Sequence, residues 1–261
     1  MKKLLYLLLA LLSSVTAYSQ MLFSENLTMT IDSTKTLQGS LMPEIDFKTE
    51  KENVFTFKNT ANLNLLINHN RVINVINKFE LSTYGKQVIL SGGYVHMEYR
   101  YLLDHAFEVY PYVESQWAES RGMIHKISSG LQSRYRLVNT NSSLMFVAVG
   151  LFFEYEKWQH PTPDANTPEH AYSRSLKTHL SLSYKLQLAK KWGLTTTAIH
   201  QGKPDRTYFK EARFGGALDL NYSITNAIGI RGAYRLIYDT APIVPIKKDY
   251  HSVEVGLTVS F

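Results

Sequence analysis

The segment 253–261 alternates without a break. Val253, Val255, Leu257, Val259 and Phe261 fall on one face of an extended chain, and Glu254, Gly256 and Thr258 fall on the other, because successive side chains of a strand point to opposite sides. The same period of two runs through 176–186, Leu-Lys-Thr-His-Leu-Ser-Leu-Ser-Tyr-Lys-Leu, and through 214–222, Phe-Gly-Gly-Ala-Leu-Asp-Leu-Asn-Tyr. A chain written this way cannot bury its apolar residues as helices, whose apolar stripe recurs every 3.6 residues. It must form sheet with one greasy face and one wet face.

From about Thr36 onward such stretches repeat, separated by clusters of Asn, Gly, Pro, Asp and Lys. They predict twelve strands, at 37–48, 54–67, 71–83, 88–102, 106–118, 123–137, 143–157, 171–187, 192–202, 208–223, 227–239 and 250–261. An even count lets an antiparallel sheet close on itself, leaving no edge strand unpaired in lipid. The fold class expected is therefore all-β: a closed antiparallel transmembrane β-barrel of twelve strands. The connections divide by length as barrels require. The turns Asn68 to Asn70, Leu103 to His105, Val138 to Ser142, Ala189 to Lys191 and Ile224 to Asn226 are short and are assigned to the periplasmic end. Thr49 to Asn53, Tyr84 to Gln87, Glu119 to Gly122, Gln159 to His170, Lys203 to Thr207 and Thr240 to Lys248 are assigned to the outside, the three that carry proline among them.

The N-terminus agrees with export. Lys2 and Lys3 precede the apolar run Leu4 to Leu12, and Ala17-Tyr18-Ser19 supplies the small residues of a cleavage site before Gln20, which is the pattern of a secretory signal peptide. Three parts are expected: a signal peptide at 1–19, cut near Ser19/Gln20; a periplasmic segment at 20–35; and the barrel at 36–261. No later segment offers the roughly 18 consecutive apolar residues of a helical span. The absence of cysteine excludes a lipid-modified N-terminus and thiol chemistry. A net charge of +6 is spread along the chain with no basic run, so it points to lumen and loop charges and not to nucleic acid. A soluble all-β periplasmic protein is the alternative that strand periodicity leaves open.

Taking the apolar set of each strand as lipid-facing leaves the interior charged. His96, Glu98 and Arg100 face in from the fourth strand. Glu108, Tyr110, Tyr112, Glu114 and Gln116 do so from the fifth, Lys126, Gln132, Arg134 and Arg136 from the sixth, and Glu154 and Glu156 from the seventh. Arg231 and Arg235 on the eleventh strand and Arg213 on the tenth form a second basic group, with Asp219 and Glu254 as possible partners. Pairs of opposite sign on a wetted wall are worth about 0.2–1 kcal/mol each, so the ladder reads either as scaffolding or as a solute path. Trp117 and Trp158 near outer strand ends, Trp192 near an inner one, and Tyr99 and Tyr101 fit an interfacial aromatic girdle.

Nothing in the sequence spells out a catalytic site. None of the nine histidines lies in a zinc-binding spacing or beside a serine elbow. His179 and Ser181 share a strand face, but that face is the lumen. Asp164, Glu169 and Asp205 do not have the spacing of a calcium loop. No cofactor and no metal are expected.

Tyr99-Arg100-Tyr101, Tyr110-Pro111-Tyr112-Val113, Gly130-Leu131-Gln132-Ser133-Arg134-Tyr135, and Gly150 followed by Phe153-Glu154-Tyr155-Glu156 carry a family resemblance over Tyr94 through Trp158. This quarter of the chain resembles the uncharacterised family described as salt-induced outer-membrane proteins. The terminal Phe261, behind Leu257 and Val259, resembles the signal read by the outer-membrane assembly machinery. The Ala-Tyr-Ser-Gln ending of the signal peptide resembles those of the Bacteroidetes, which are Gram-negative. The resemblance implies a monomeric outer-membrane barrel and supplies no catalytic residues. The partners expected are outer-membrane lipid, the assembly machinery and small solutes. The function expected is a non-enzymatic, porin-like barrel, a narrow channel or a binding barrel for small solutes. A surface-loop interaction, adhesion or envelope-stress protein is the alternative, and a lipid-modifying enzyme the third.

Overall fold

Twelve strands, each greasy on one side and polar on the other, pair in sequence order as antiparallel hairpins. The computed structural model of the chain describes residues 35–49, 52–101, 105–163 and 167–261. The signal peptide, the segment 20–34 and Asp164 lie outside the described residues. The strands are β1 (Leu37–Thr49), β2 (Asn53–Asn68), β3 (Arg71–Tyr84), β4 (Gln87–Tyr101), β5 (Phe107–Ala118), β6 (Met123–Asn139), β7 (Ser143–Gln159), β8 (His170–Ala189), β9 (Trp192–Gly202), β10 (Ala212–Ser223), β11 (Ile228–Asp239) and β12 (Asp249–Ser260). Each pairs with the next, and β1 pairs with β12, so the sheet is a closed barrel. The ends of the strands put the short connections β2–β3, β4–β5, β6–β7, β8–β9 and β10–β11 at one end of the barrel, and the longer connections β7–β8, β9–β10 and β11–β12 at the other.

The barrel is inside-out relative to a soluble protein. Leu131, Val149, Leu151, Phe153, Leu176, Val253, Val255 and Leu257 stand exposed on the outer wall, while Glu98, Glu108, Glu154, Glu156, Lys126, Arg213 and Asp219 are buried. Soluble monomers rarely expose contiguous apolar surface beyond a few hundred square ångströms. An apolar belt around a closed barrel is stable where its solvent is lipid.

Closure rests on a short seam. Gly39 and Phe261 exchange backbone hydrogen bonds, Gly39 N–H to Phe261 O at 3.2 Å and Phe261 N–H to Gly39 O at 3.0 Å, and Ser40 and Leu41 pair with Ser260 and Val259. Among the described residues the ladder stops there. Odd-numbered residues of β1 aim their amides at β12, and Pro43, next in that series after Leu41, has no N–H to give. On its other side β1 pairs without interruption from Leu37↔Leu65 to Thr49↔Asn53. The proline thus sits on the one edge where a missing donor is tolerated. A Cβ on residue 39 would stand 2.5 Å from the tip of the Phe261 ring, so the terminal aromatic packs over this glycine.

One strand begins later than its periodicity implies. Residues 208–211, expected within the tenth strand, form a turn: the Asp205 carboxylate accepts the Thr207 N–H at 2.7 Å and its hydroxyl at 2.6 Å, and Lys210 and Glu211 donate to Thr207 O at 2.8 Å. Local side-chain capture of the backbone outcompetes extension here. The same two bonds hold the exposed Asp205 carboxyl below its usual range.

Candidate functional site: a charged septum above an open chamber

The interior charges come from every other residue of neighbouring strands, and the ladder registers decide which of them meet. His96 on β4 lies opposite Glu114 on β5, Glu108 on β5 opposite Arg134 on β6, and Lys126 on β6 opposite Glu156 on β7. His96 Nδ1 is 2.9 Å from Glu114 Oε2, and its other nitrogen is 3.4 Å from Glu98 Oε2. Glu98 also accepts from Arg100, and the His96 ring stacks on Tyr112 with centroids 5.3 Å apart. Glu108 faces Arg134 at 3.6 Å and also pairs with Arg136. The Arg134 guanidinium lies 4.3 Å from the Phe146 ring centre and 5.0 Å from that of Tyr110. Gly130 opposes Phe152 across the ladder, and a Cβ there would meet Phe152 Cβ at 2.6 Å, so this glycine makes room for an aromatic inside the wall.

Other contacts cross the lumen, which fixes these side chains as interior. Arg213 on β10 is separated from β7 by two strands, yet its Nη1 lies 3.0 Å from both oxygens of Glu154 and its Nη2 donates to Glu156 at 2.9 Å. Its Nε donates to Asp239 at 2.9 Å. Lys126 is 2.9 Å from Glu154 Oε2, and Lys177 binds Glu154 Oε1. Three cations meet three carboxylates, so the cluster is neutral. Lys78 on β3 similarly reaches Glu254 on β12. Asp219 takes both Arg231 and Arg235.

These pairings revise the partners that sequence suggests for Arg213, which meets neither Asp219 nor Glu254. Lys177 and Asp239, which periodicity places on the interior face, are not among the expected site residues. Apart from Lys78 with Glu254 and the Arg136 side chain, the paired charges are dry. Glu98, Glu154 and Glu156 are each 1% exposed and Asp219 is 0%, whereas charges lining a water-filled channel would be wetted. At this level side chains from β6, β7, β8 and β10 pack against one another across the lumen. Among the sequence-derived interior charges, Glu254 and Arg136 are the more open, their side chains 34% and 21% exposed.

The long-loop end carries a second closure. The 240–248 connection folds across the mouth, and Val244 packs in a buried cluster with Ala118, Met123 and Trp158, flanked by Ile243, Ile246 and Ala171. Trp158 is therefore no girdle residue. It shares parity with Glu154 and Glu156, faces inward, and its indole N–H points at Glu156 Oε2, 3.3 Å away. Trp117 and Trp192 do face outward, Trp192 against Tyr222.

At the short-turn end the lumen opens into a chamber of about 420 Å³, lined by Ser40, Met42, Thr60, Asn62, the 139–144 turn, Lys185 to Gln187, Gly193 to Thr195, Asn221, Arg231, Thr258 and Ser260. Hydroxyls and amides dominate this lining, with Arg231 and Lys185 its cations. His179 and Ser181 are buried on the interior face of β8, walled off from the bilayer by the strand that carries them.

The fold places the chain beside known barrels. The translocator domain of the autotransporter NalP from Neisseria meningitidis matches over 91% of this chain and 92% of that one, at 13% identity and a TM-score of 0.52. A NanC porin matches over 85% and 98% at 12% identity and a TM-score of 0.45, and the KdgM porin in complex with disordered oligogalacturonate over 86% and 99% at 11% and 0.41. At these identities the likeness is one of fold. No protein-family model matches the chain, and no curated protein does.

Proposed function

We propose that this chain is a non-enzymatic outer-membrane barrel that binds small polar solutes in a chamber open to the periplasm, with its outer mouth held shut at rest. In this reading the short-turn end is periplasmic, the signal peptide is removed near Ser19/Gln20, and Tyr94 to Trp158 mark kinship with the salt-induced outer-membrane proteins. The observation that carries it is the stacking of a dry ionic septum, Arg213 with Glu154 and Glu156, between a polar chamber of about 420 Å³ and the Val244 cap. That volume suits one small ligand, and lumen side chains are what set solute preference in barrels.

The test is equilibrium dialysis of the refolded barrel against glucose, arginine, glutamate and inorganic phosphate. Retention of at least one, lost in Arg231→Gln, supports the reading, because Arg231 lines the chamber and Asp219 keeps Arg235 as a partner in that variant. Retention of none by a demonstrably folded barrel overturns it.

A second reading, a surface protein acting through its loops, draws on Phe209. Its side chain is 69% exposed at the tip of the 203–211 connection, beside Tyr208. Deleting 205–209 would abolish partner binding under that reading and leave dialysis unchanged.

A further inference from the structure

On the outer wall toward the long loops, two neighbouring cations have no carboxylate partner among the described residues. Lys157 on β7 and Arg174 on β8 point away from the lumen, on the parity of exposed Phe153, Tyr172 and Leu176. Register sets them in a checkerboard, with Tyr155 opposite Arg174 and Lys157 opposite Tyr172. The guanidinium of Arg174 lies 5.6 Å from the Tyr155 ring centre and the ammonium of Lys157 lies 5.8 Å from that of Tyr172. Among the described residues no carboxylate pairs with either. His125 is the cross-strand neighbour of Lys157 on β6, its Nε2 3.1 Å from Ser115 Oγ.

Depth gives this patch a meaning. The next rung toward the short-turn end is Phe153 opposite Leu176, followed by Leu151 opposite Thr178 and Val149 opposite Leu180, and all of these but Thr178 belong to the exposed apolar belt. The two aromatic–cation rungs therefore lie immediately above the belt, toward the long loops. Arginine and lysine on a barrel's lipid face are costly at the bilayer midplane and nearly free at the interface, so this is the headgroup level. The rings hold the cations against the wall by cation–π attraction, leaving N–H groups of the guanidinium to face outward, in a geometry that matches two oxygens of a phosphate.

From this geometry we propose that Lys157, Arg174, Tyr155 and Tyr172 form a binding site on the outer wall for the phosphate of a phosphorylated outer-leaflet lipid. Its acyl chains run down over Phe153, Leu176 and Leu180. The site rests on the outer-membrane placement above and is independent of the chamber and its solutes.

The test uses the refolded full barrel in a zwitterionic detergent, titrated with bisphosphorylated lipid A and followed by native mass spectrometry, with heat-shifted electrophoretic mobility as the check on folding. The wild type should retain lipid A, and Lys157→Gln with Arg174→Gln should weaken retention at least ten-fold while Lys190→Gln with Lys191→Gln, at the opposite end, leaves it unchanged. Tyr155→Leu with Tyr172→Leu keeps an apolar wall and should weaken it several-fold, which decides the matter if the charge variant fails to fold. Equal retention by wild type and a folded charge variant overturns the site, as does full displacement of lipid A by millimolar inorganic phosphate, which would make it a site for a free anion. A chain that stays dispersed without detergent overturns the membrane placement itself, a failure readily told apart from a folded, detergent-bound barrel that ignores lipid A.

Discussion

Arg213 on β10 grips Glu154 on β7 across the lumen, one guanidinium nitrogen 3.0 Å from each carboxylate oxygen. No backbone ladder joins these strands, because β8 and β9 stand between them, so the contact ties one wall of the barrel to another through its interior. With Lys126, Lys177, Glu156 and Asp239 it makes a neutral plate where a porin would have water.

Arg213→Leu leaves three carboxylates facing two lysines in a dry interior. Removing one member of a buried ionic set costs about 3–5 kcal/mol, so the folded electrophoretic band should be lost at markedly lower temperature than in the wild type. Arg136→Gln, whose side chain is partly wetted and whose partner Glu108 keeps Arg134, should move that temperature little.

Pro43→Ala supplies the amide that the seam between β1 and β12 lacks. One added hydrogen bond is worth about 0.5–1.5 kcal/mol, and the substitution should raise the unfolding temperature of the refolded barrel. A lowered temperature would mean that the proline shapes the seam and does not merely interrupt it.

Gly130→Val drives side-chain carbon into the backbone of Leu151 and the side chain of Phe152. Overpacking of this kind costs about 1–3 kcal/mol. Gly256→Ala on β12, where a Cβ would meet nothing within 4 Å, should be close to neutral in the same melting assay.

Strand periodicity carries the architecture, and the reason is physical. A half-buried strand must alternate, so β8 and β12 announce both their extent and their faces. Parity alone assigns His96, Glu98, Glu154 and Arg235 to the inner side of the wall, where they lie. What parity lacks is distance across the lumen. Arg213 shares a face of β10 with Asp219 and reads as its neighbour, yet its long side chain crosses to β7. The cap is illegible for a different reason: Ile243, Val244 and Ile246 sit in a proline-bearing loop with no period, and nothing local says that it folds inward. Trp158 reads as an interfacial anchor when its position near a strand end is weighed above its parity with Glu156, and parity is the better guide. The start of β10 is hidden because Asp205 and Thr207 bend the chain before it extends.

The occlusion of the lumen is tested most directly by single-channel recording of the refolded barrel in a planar bilayer, alongside a variant in which residues 242–247 are replaced by Gly-Ser-Gly and Arg213 by Gln. The wild type should show no steady conductance and the variant should open ion-conducting events. Steady, ohmic conductance from the wild type would contradict the account, since it would mean that water passes through the plane of Glu154, Glu156 and Arg213 in the resting protein.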